Sequence, residues 1–224
     1  MRMRRRNNLE PRMARCQQIM IPAPQEMAGH WRSLMPEARQ VRVEVGCGKG
    51  KFTVETAQAE PDVLFIAIEK VREAMVLAME RAQEMGLKNV FFLDMDVAKL
   101  GQCFAPGEVD LIYINFCDPW PRSKHAKRRL TFPSFLDQYA YALPLGGGIA
   151  FKTDNAPLFD WSLEQFAACG WQLKNVTHDL HKDGVVGVMT GYEEKFHALG
   201  TPICRCEACK TAETKVYTPQ QEEA

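Results

Sequence analysis

Acidic side chains accompany several apolar runs of this chain, and glycines follow the first of them. The run VRVEV contains Glu44 and leads into Gly46, Gly48 and Gly50. Glycines let a backbone turn sharply and approach a bound molecule closely, so this loop is a candidate binding loop. The fingerprint for dinucleotides requires a further glycine where Lys51 stands, which disfavours a pyrophosphate-binding loop.

Two further acids are placed to bind a nucleoside. Glu69 ends the run LFIAIE, 23 residues after Gly46, and a carboxylate at that place can accept hydrogen bonds from both hydroxyls of a ribose. Asp96 closes the run VFFLDMD, where its carboxylate can accept a hydrogen bond from an adenine amino group. The alternative is that these acids cap helices or lie in solvent.

The stretch NFCDPWPRSKHAKRRLT places an acid, a rigid aromatic corner and a cationic segment side by side. Pro119 and Pro121 fix two φ angles, so we expect Asp118 and Trp120 to be held with little freedom. Five of the next eight residues are Lys or Arg, which indicates either a solvated surface or contacts with a phosphate backbone. This segment, the cationic strip, contains Arg122, Lys124, His125, Lys127, Arg128 and Arg129.

The elements that must position these residues alternate between apolar strands and helices. Continuous apolar strands separated by helices predict an α/β fold with a parallel sheet buried on both faces. Ligands of such sheets bind beyond the carboxyl ends of the strands, so we expect the acids to meet at one edge. We predict strands at 41–46, 64–70, 90–96, 109–117 and 146–154, helices at 50–59, 71–86, 133–143 and 157–169, and a final strand pair at 171–180 and roughly 188–196.

The glycine loop and its acids resemble those of class I S-adenosylmethionine-dependent methyltransferases. Two more stretches, KTDN at 152–155 and TGYEEKF at 190–196, complete a more specific pattern. Together with EVGCGKG, FIAIEK and the DPWP stretch, they resemble the tRNA (guanine-N7)-methyltransferase family over about 41–203. This resemblance implies a Rossmann-like, mostly parallel seven-stranded sheet with helices on both faces. It also implies S-adenosylmethionine as cofactor and tRNA as partner, with methyl transfer to N7 of a variable-loop guanosine.

The resemblance further implies a role for each matching residue. Asp118 is implied as the catalytic residue and also as part of the cofactor site, and the strip from Lys124 to Arg129 as the RNA contact. Asp118, Asp154 and Glu193 are the alternatives for the carboxylate that reads the guanine pairing edge. The implied cofactor-binding residues are Glu44, Gly46, Gly48, Gly50, Glu69, Asp96 and Asp118, and the implied substrate-binding residues are Arg122, Asp154, Thr190, Gly191, Tyr192 and Glu193.

The two ends of the chain fall outside this pattern. Residues 1–38 are rich in arginine and proline and are expected to form a basic N-terminal arm before a methyltransferase domain at 39–203. Residues 204–224 are expected to be a tail that contains Cys204, Cys206 and Cys209. A structural zinc would need a fourth ligand such as His197, so reduced thiols without a metal are expected instead.

Composition sets the broad class. The chain has 224 residues, 46% hydrophobic and 25% charged, which is typical of one globular domain. No apolar run approaches the roughly 18 residues of a membrane span, and the arginine-rich start lacks the apolar segment of a signal peptide. A cytoplasmic protein with reduced cysteines is therefore expected, with an organelle transit peptide as the alternative and the oligomeric state left open. The functional alternatives are a methyltransferase of another RNA, a small molecule or a protein, and a non-catalytic RNA-binding module.

Overall fold

A computed structural model describes residues 8–216 as a seven-stranded sheet with helices against it. The strand order is β3-β2-β1-β4-β5-β7-β6, with β1 to β5 parallel and β7 antiparallel to both β5 and β6. This arrangement confirms the expected fold class. The strands are β1 (Gln40–Val45), β2 (Val63–Glu69), β3 (Val90–Asp94), β4 (Leu111–Asn115), β5 (Gly148–Thr153), β6 (Gln172–Thr177) and β7 (Cys204–Cys209).

The helices that directly follow strands begin where the continuous apolar run of the strand gives way to the helical spacing of apolar residues. Pro133 begins α4 at a position where its missing N–H costs nothing, and Asn155 caps α5 by accepting a hydrogen bond from the Leu158 N–H. The α-helices are α1 (Leu9–Arg15), α2 (Lys51–Ala59), α3 (Arg72–Glu84), α4 (Pro133–Ala142), α5 (Ala156–Ala168) and α6 (Gly191–Ala198).

Two apolar cores lie on opposite faces of the sheet. Alternate residues of β2 belong to different cores: Leu64 and Ile66 pack with residues of α4 and α5, whereas Phe65 and Ala67 pack with residues of α2 and α3. Successive strand side chains point to opposite faces, so a strand that is apolar throughout must be covered on both sides. The continuous apolar runs of the sequence reflect this double burial.

The strand order reverses between β1 and β4: strands β2 and β3 are added on one side of β1, and β4 and β5 on the other. This switch point is the expected ligand site. β1 pairs with β2 on one side and with β4 on the other, so their carboxyl ends lie level at one edge, called the carboxyl edge below. Crevices at such a switch point are where open α/β sheets bind ligands. The glycine loop follows β1 and the DPWP corner, residues 118–121, follows β4, so both lie at this edge.

The C-terminal strand pair differs from the prediction. Residues 172–177 form β6 as expected, but its partner is β7, whereas the stretch predicted as a strand at 188–196 contains α6. The TGYE segment carries a capping box that starts a helix, and this local signal decides its conformation. The domain boundary at 203 is also wrong, since 204–209 is an interior strand of the sheet rather than part of a tail.

The N-terminal segment packs on the domain over its described part. The ring of Trp31 is fully buried, and its indole N–H donates to the Cys103 carbonyl at 2.8 Å. The Arg12 guanidinium pairs with Glu80 of α3, so α1 is bound to that helix. Residues 9–38 are therefore not a free arm, because their apolar side chains complete the core. The arginines at 2, 4, 5 and 6 lie outside the described residues.

Within residues 8–216, no helix is long and apolar enough to cross a membrane.

Candidate active site

The glycine loop presents bare backbone to open space. Gly46, Gly48 and Gly50 all have positive φ, at 78°, 57° and 71°. A Cβ on Gly50 would lie 2.4 Å from that of Ala78, so this glycine allows α3 to approach closely. A Cβ on Gly46 or Gly48 would meet no atom within 4 Å, so the loop backbone here faces room for a ligand.

Glu44 lies beneath this loop and is buried. One carboxylate oxygen accepts a hydrogen bond from the Asn115 amide at 2.9 Å, and the other accepts from the Thr53 hydroxyl. Burial raises the pKa of the Glu44 carboxyl, against the lowering effect of these hydrogen bonds and of the Lys152 charge. Glu44 thus ties β1, β4 and α2 together under the site, and a direct cofactor contact remains a prediction.

Glu69 holds the glycine loop from the neighbouring strand. Its carboxylate accepts one hydrogen bond from the Gly48 N–H at 2.9 Å and another from the Val71 N–H at 2.8 Å. Each oxygen keeps a further lone pair, so the side chain can still accept from the two hydroxyls of a ribose. The spacing predicted a ligand carboxylate; the structure adds that the same group shapes the loop.

Asp96 lies at the carboxyl edge but beyond the strand it was expected to close. β3 ends at Asp94, and Asp96 caps the following 3-10 turn by accepting from the Ala98 N–H at 3.0 Å. Its exposed carboxylate is 3.4 Å from the Lys70 amine. Asp96 is therefore a helix cap through one oxygen, which was the alternative prediction. Its other oxygen is the one near the Lys70 amine, and a contact with adenine stays a prediction.

Asp118 and Asp154 approach the same point from adjacent strands. Asp118 follows β4 and is exposed, and Asp154 directly follows β5 and is half-buried. Burial and the charges of both acids raise the pKa of the Cys117 thiol to about 12, and Asn115 of β4 lies opposite Lys152 of β5, so the two acids follow adjacent strand ends. Among residues 8–216, neither carboxylate accepts a hydrogen bond or forms an ion pair, so both are available to a ligand.

The cationic strip forms a 3-10 turn, Ser123–Arg128, beside the DPWP corner. Its side chains separate into two groups. The guanidinium of Arg129 donates to the carbonyls of Pro119 and Trp120, each at 3.1 Å, so it faces the corner rather than solvent. His125 is half-buried with its ring edge-on to Trp120. The outward-facing group is Arg122, Lys124, Lys127 and Arg128.

Glu193 is engaged within the protein. Its side chain is fully buried and pairs with the Lys152 amine at 2.6 Å and the His181 ring at 2.9 Å. It also completes the capping box of α6 by accepting from the Thr190 N–H. The expectation that Glu193 reads guanine does not fit this geometry, because a buried and paired carboxylate is not presented to an entering base.

The rest of the TGYE segment faces outward. Tyr192 is 61% exposed, and Gly191 is exposed beside it at the first turn of α6. The hydroxyl of Thr190 accepts from the Glu193 N–H at 2.9 Å and is therefore used as a helix cap. Of this segment, only Gly191 and Tyr192 remain placed to meet a substrate.

Four supporting residues were not predicted as part of the site. Lys152 and His181 hold Glu193, and Thr53 and Asn115 hold Glu44. Lys152 and Asn115 had a sequence signal, because they open the KTDN stretch and the stretch that contains DPWP. The others act through contacts between residues that are distant in the chain, and no local pattern marks such contacts.

Two orphaned buried atoms test whether the site suits a polar cofactor. The amide oxygen of Asn115 and the hydroxyl of Tyr139 are buried without a hydrogen-bond partner in the described part of the chain. Burial raises the pKa of Tyr139, and the charges of Cys117 and Asp96 raise it further; its ring lies in the core formed with α4 and α5. Buried polar atoms without partners are costly, and a ligand with donors of its own would satisfy them. The residues present fit an adenosine-containing cofactor.

The cysteine cluster of β7 does not form a ligand set. Cys204 and Cys206 are buried on one face, and Cys209, an odd number of positions away, lies on the other. No group of three or more ligand side chains around one point occurs within residues 8–216. A zinc site made of the three cysteines is incompatible with this alternation.

Comparison with known proteins identifies the family. A family model described as "Putative methyltransferase" matches residues 38–206. The chain is 44% identical over 209 residues to a tRNA (guanine-N(7)-)-methyltransferase of Streptococcus suis, covering 93% of this chain and 99% of the relative. It is 41% identical over 208 residues to the Bacillus subtilis protein of the same name, covering 92% and 98%. The chain belongs to the tRNA (guanine-N(7)-)-methyltransferase family. As a member of this family it is an S-adenosylmethionine-dependent methyltransferase.

Solved structures agree with the fold of this family member. The 16S rRNA methyltransferase KamB superposes with a TM-score of 0.64 at 17% identity, covering 82% of this chain and 93% of that one. A 16S rRNA (adenine(1408)-N(1))-methyltransferase from Catenulisporales acidiphilia, solved with its cosubstrate, gives a TM-score of 0.60 at 14% identity, covering 89% and 94%. At these identities the likeness concerns the class I methyltransferase fold alone.

Proposed function

We propose that this protein transfers the methyl group of S-adenosylmethionine to N7 of a tRNA guanosine, and specifically to guanosine 46 of the variable loop. The observation that carries the proposal is a convergence at the carboxyl edge. The glycine loop, two unpaired acids and an outward-facing group of cations meet there. A cofactor loop, a base-reading group and phosphate contacts are the three parts that such a reaction needs, and the names of the relatives support the substrate.

The chemistry of N7 means that the reaction needs no general base. N7 of guanine carries an in-plane lone pair and no proton at neutral pH, so the nucleophile needs no activation. When bound, S-adenosylmethionine supplies an electrophilic methyl group on a positively charged sulfur. The protein's contribution is therefore alignment, which can supply about 7–11 kcal/mol in favourable cases. The carboxylate of Asp118 would stabilise the positive charge that develops on the purine.

We assign the selection of guanine to the two free carboxylates, Asp118 and Asp154. The pairing edge of guanine offers N1–H and an exocyclic amine as parallel donors, and a single carboxylate can accept both. Adenine cannot offer both donors, so such a carboxylate discriminates between the purines. Asp118 and Asp154 are unpaired within residues 8–216, and each can take this role. Tyr192 is exposed on α6, and we propose that it stacks on a base taken out of its helix.

Labelled S-adenosylmethionine and an unmodified tRNA transcript test the proposal directly. After nuclease digestion, the label should appear as 7-methylguanosine from the variable loop, and a transcript without the guanosine at position 46 should not be labelled. Label in another nucleoside, or only in a protein or small molecule, would replace the proposal with another methyltransferase activity. Binding of RNA without any transfer would indicate a non-catalytic module.

Amide variants locate the guanine-reading acid. We expect Asp118→Asn or Asp154→Asn to lower the rate at saturating substrates by about 100-fold, because the amide replaces one acceptor oxygen by a donor and carries no charge to stabilise a cation. Asp62→Asn is the matched control, since this exposed aspartate precedes β2 at the opposite edge of the sheet. Full activity in both site variants would refute the assignment.

A further inference from the structure

The DPWP corner has a strained backbone. Trp120 has a φ of 42° and Phe116, just before the corner, has a φ of 51°. Positive φ in a bulky residue is energetically unfavourable and persists only where the surroundings impose it. Trp120 also precedes Pro121, which further restricts its conformation. Something outside the corner must hold it in this shape.

Arg129 supplies that support through three contacts. Its Nε donates to the carbonyl of Pro119 and its Nη2 to the carbonyl of Trp120, both at 3.1 Å. The guanidinium lies 4.3 Å from the ring centroid of Trp161 on α5, and this stacking fixes its plane. A planar fork with parallel donors suits two adjacent carbonyls, and a lysine amine cannot reproduce it.

The neighbouring Arg128 is oriented differently. Its side chain is exposed, and its guanidinium lies 4.9 Å from the ring centroid of Trp120, on the outer side of the corner. Arg129 thus contacts the backbone of the corner and the ring of Trp161, whereas Arg128 is exposed and contacts the corner only through the ring of Trp120. The positive charge of the run predicts that both arginines contact phosphate. The hydrogen bonds of Arg129 within the protein distinguish it from Arg128.

We propose that Arg129 is a positioning residue that holds the DPWP corner, and with it Asp118, in the geometry needed for methyl transfer. It acts through backbone carbonyls and does not contact RNA. The inference rests on the proposed function, in which Asp118 is at the reacting base. Because Arg129 directly follows the cationic strip's turn, it also connects the RNA-facing residues to the catalytic corner.

Two substitutions at 129 distinguish this role from a phosphate contact. We expect both Arg129→Gln and Arg129→Lys to lower the single-turnover rate at saturating tRNA and S-adenosylmethionine by about 10- to 100-fold. The Kd for tRNA and its salt dependence should remain within about twofold of wild type. The matched Arg128→Gln should instead weaken tRNA binding and lower the salt slope by about one.

Opposite results would overturn the inference. If Arg129→Lys restores the wild-type rate, or if Arg129→Gln lowers the salt slope as Arg128→Gln does, the residue is a phosphate contact. Circular dichroism melting controls for folding. Should neither variant fold, Trp161→Leu removes the ring against Arg129 together with its stacking on Phe132, and a wild-type rate in that variant would refute the proposal. Wild-type protein that forms no 7-methylguanosine would refute the proposed function instead.

Discussion

At the scale of the residue, Glu44 shows how one carboxylate can organise a site from beneath it. Its two oxygens join α2 to β4, and its burial leaves it with a raised pKa. A charged group held away from water costs stability unless its partners compensate fully. The strand that leads into the glycine loop therefore carries an acid at some cost to the fold.

This cost predicts a pH dependence. An acid whose pKa is higher in the folded state than its ordinary 4.5 destabilises the protein only once it ionises. The penalty is absent below about pH 4.5 and grows as pH rises through the folded-state pKa. We therefore expect the free energy of unfolding of Glu44→Gln, relative to wild type, to increase from pH about 4 to about 8.

Urea unfolding at several pH values measures this difference. Glu37→Gln, at an exposed position, is the matched control for loss of the charge. A relative stability that is flat, or that falls as pH rises, would contradict a raised pKa for Glu44. The sign is informative even though the amide also changes the hydrogen bonds to Thr53 and Asn115, since that contribution is the same at every pH.

At the scale of the element, a buried ion pair attaches α6 to the sheet. The Lys152 amine of β5 donates to the Glu193 carboxylate of α6 at 2.6 Å and to the Val188 carbonyl at 3.3 Å. His181 holds the other oxygen of the same carboxylate. The Lys152–Glu193 pair thus attaches α6, the helix that carries Tyr192, to β5. The Lys152 amine also holds the loop before α6 through the Val188 carbonyl.

Removal of one partner should be costly. We expect Lys152→Met to lower the free energy of unfolding by about 3–5 kcal/mol, because it leaves the Glu193 carboxylate buried without its main counter-charge. Lys51→Met is the matched control, since Lys51 pairs with Glu55 and Glu194 nearer the surface. That change should cost about 1 kcal/mol or less. Equal losses in urea unfolding would show that the buried pair has no special role.

At the scale of the whole molecule, charge placement matters more than charge balance. The chain carries 28 basic and 28 acidic residues, so it has no net charge to attract RNA. Four outward-facing cations beside the DPWP corner provide a local positive surface instead. A local patch is sufficient, because phosphate contacts act over short distances at physiological salt.

The salt dependence of tRNA binding should report this patch. Replacing Lys124, Lys127 and Arg128 together by glutamine should lower the slope of log K against log salt by about 2–3, at roughly 0.7–0.9 per lost phosphate contact. Lys88→Gln is the control, because this exposed lysine precedes β3 at the opposite edge. An unchanged slope in the triple variant would exclude the strip as a phosphate-binding surface.

The sequence by itself determined the class of fold and the order of the elements from β1 to β6. Apolar runs and helical periods located β1 to β5 and α2 to α5 within a few residues, because burial on both faces makes a parallel strand apolar throughout. The glycine loop, Glu69 and the DPWP stretch marked the carboxyl edge, since parallel strands must end together.

Only the tertiary structure decided which candidate residues are free and which are occupied. Glu193 and Arg129 have the residue types expected of ligand contacts, yet both are engaged by distant parts of the chain. The same holds for β7, whose cysteines become interior once it inserts between β5 and β6. A side chain's type states what it can bind, but its availability depends on contacts between residues far apart in sequence, which form only when the chain folds.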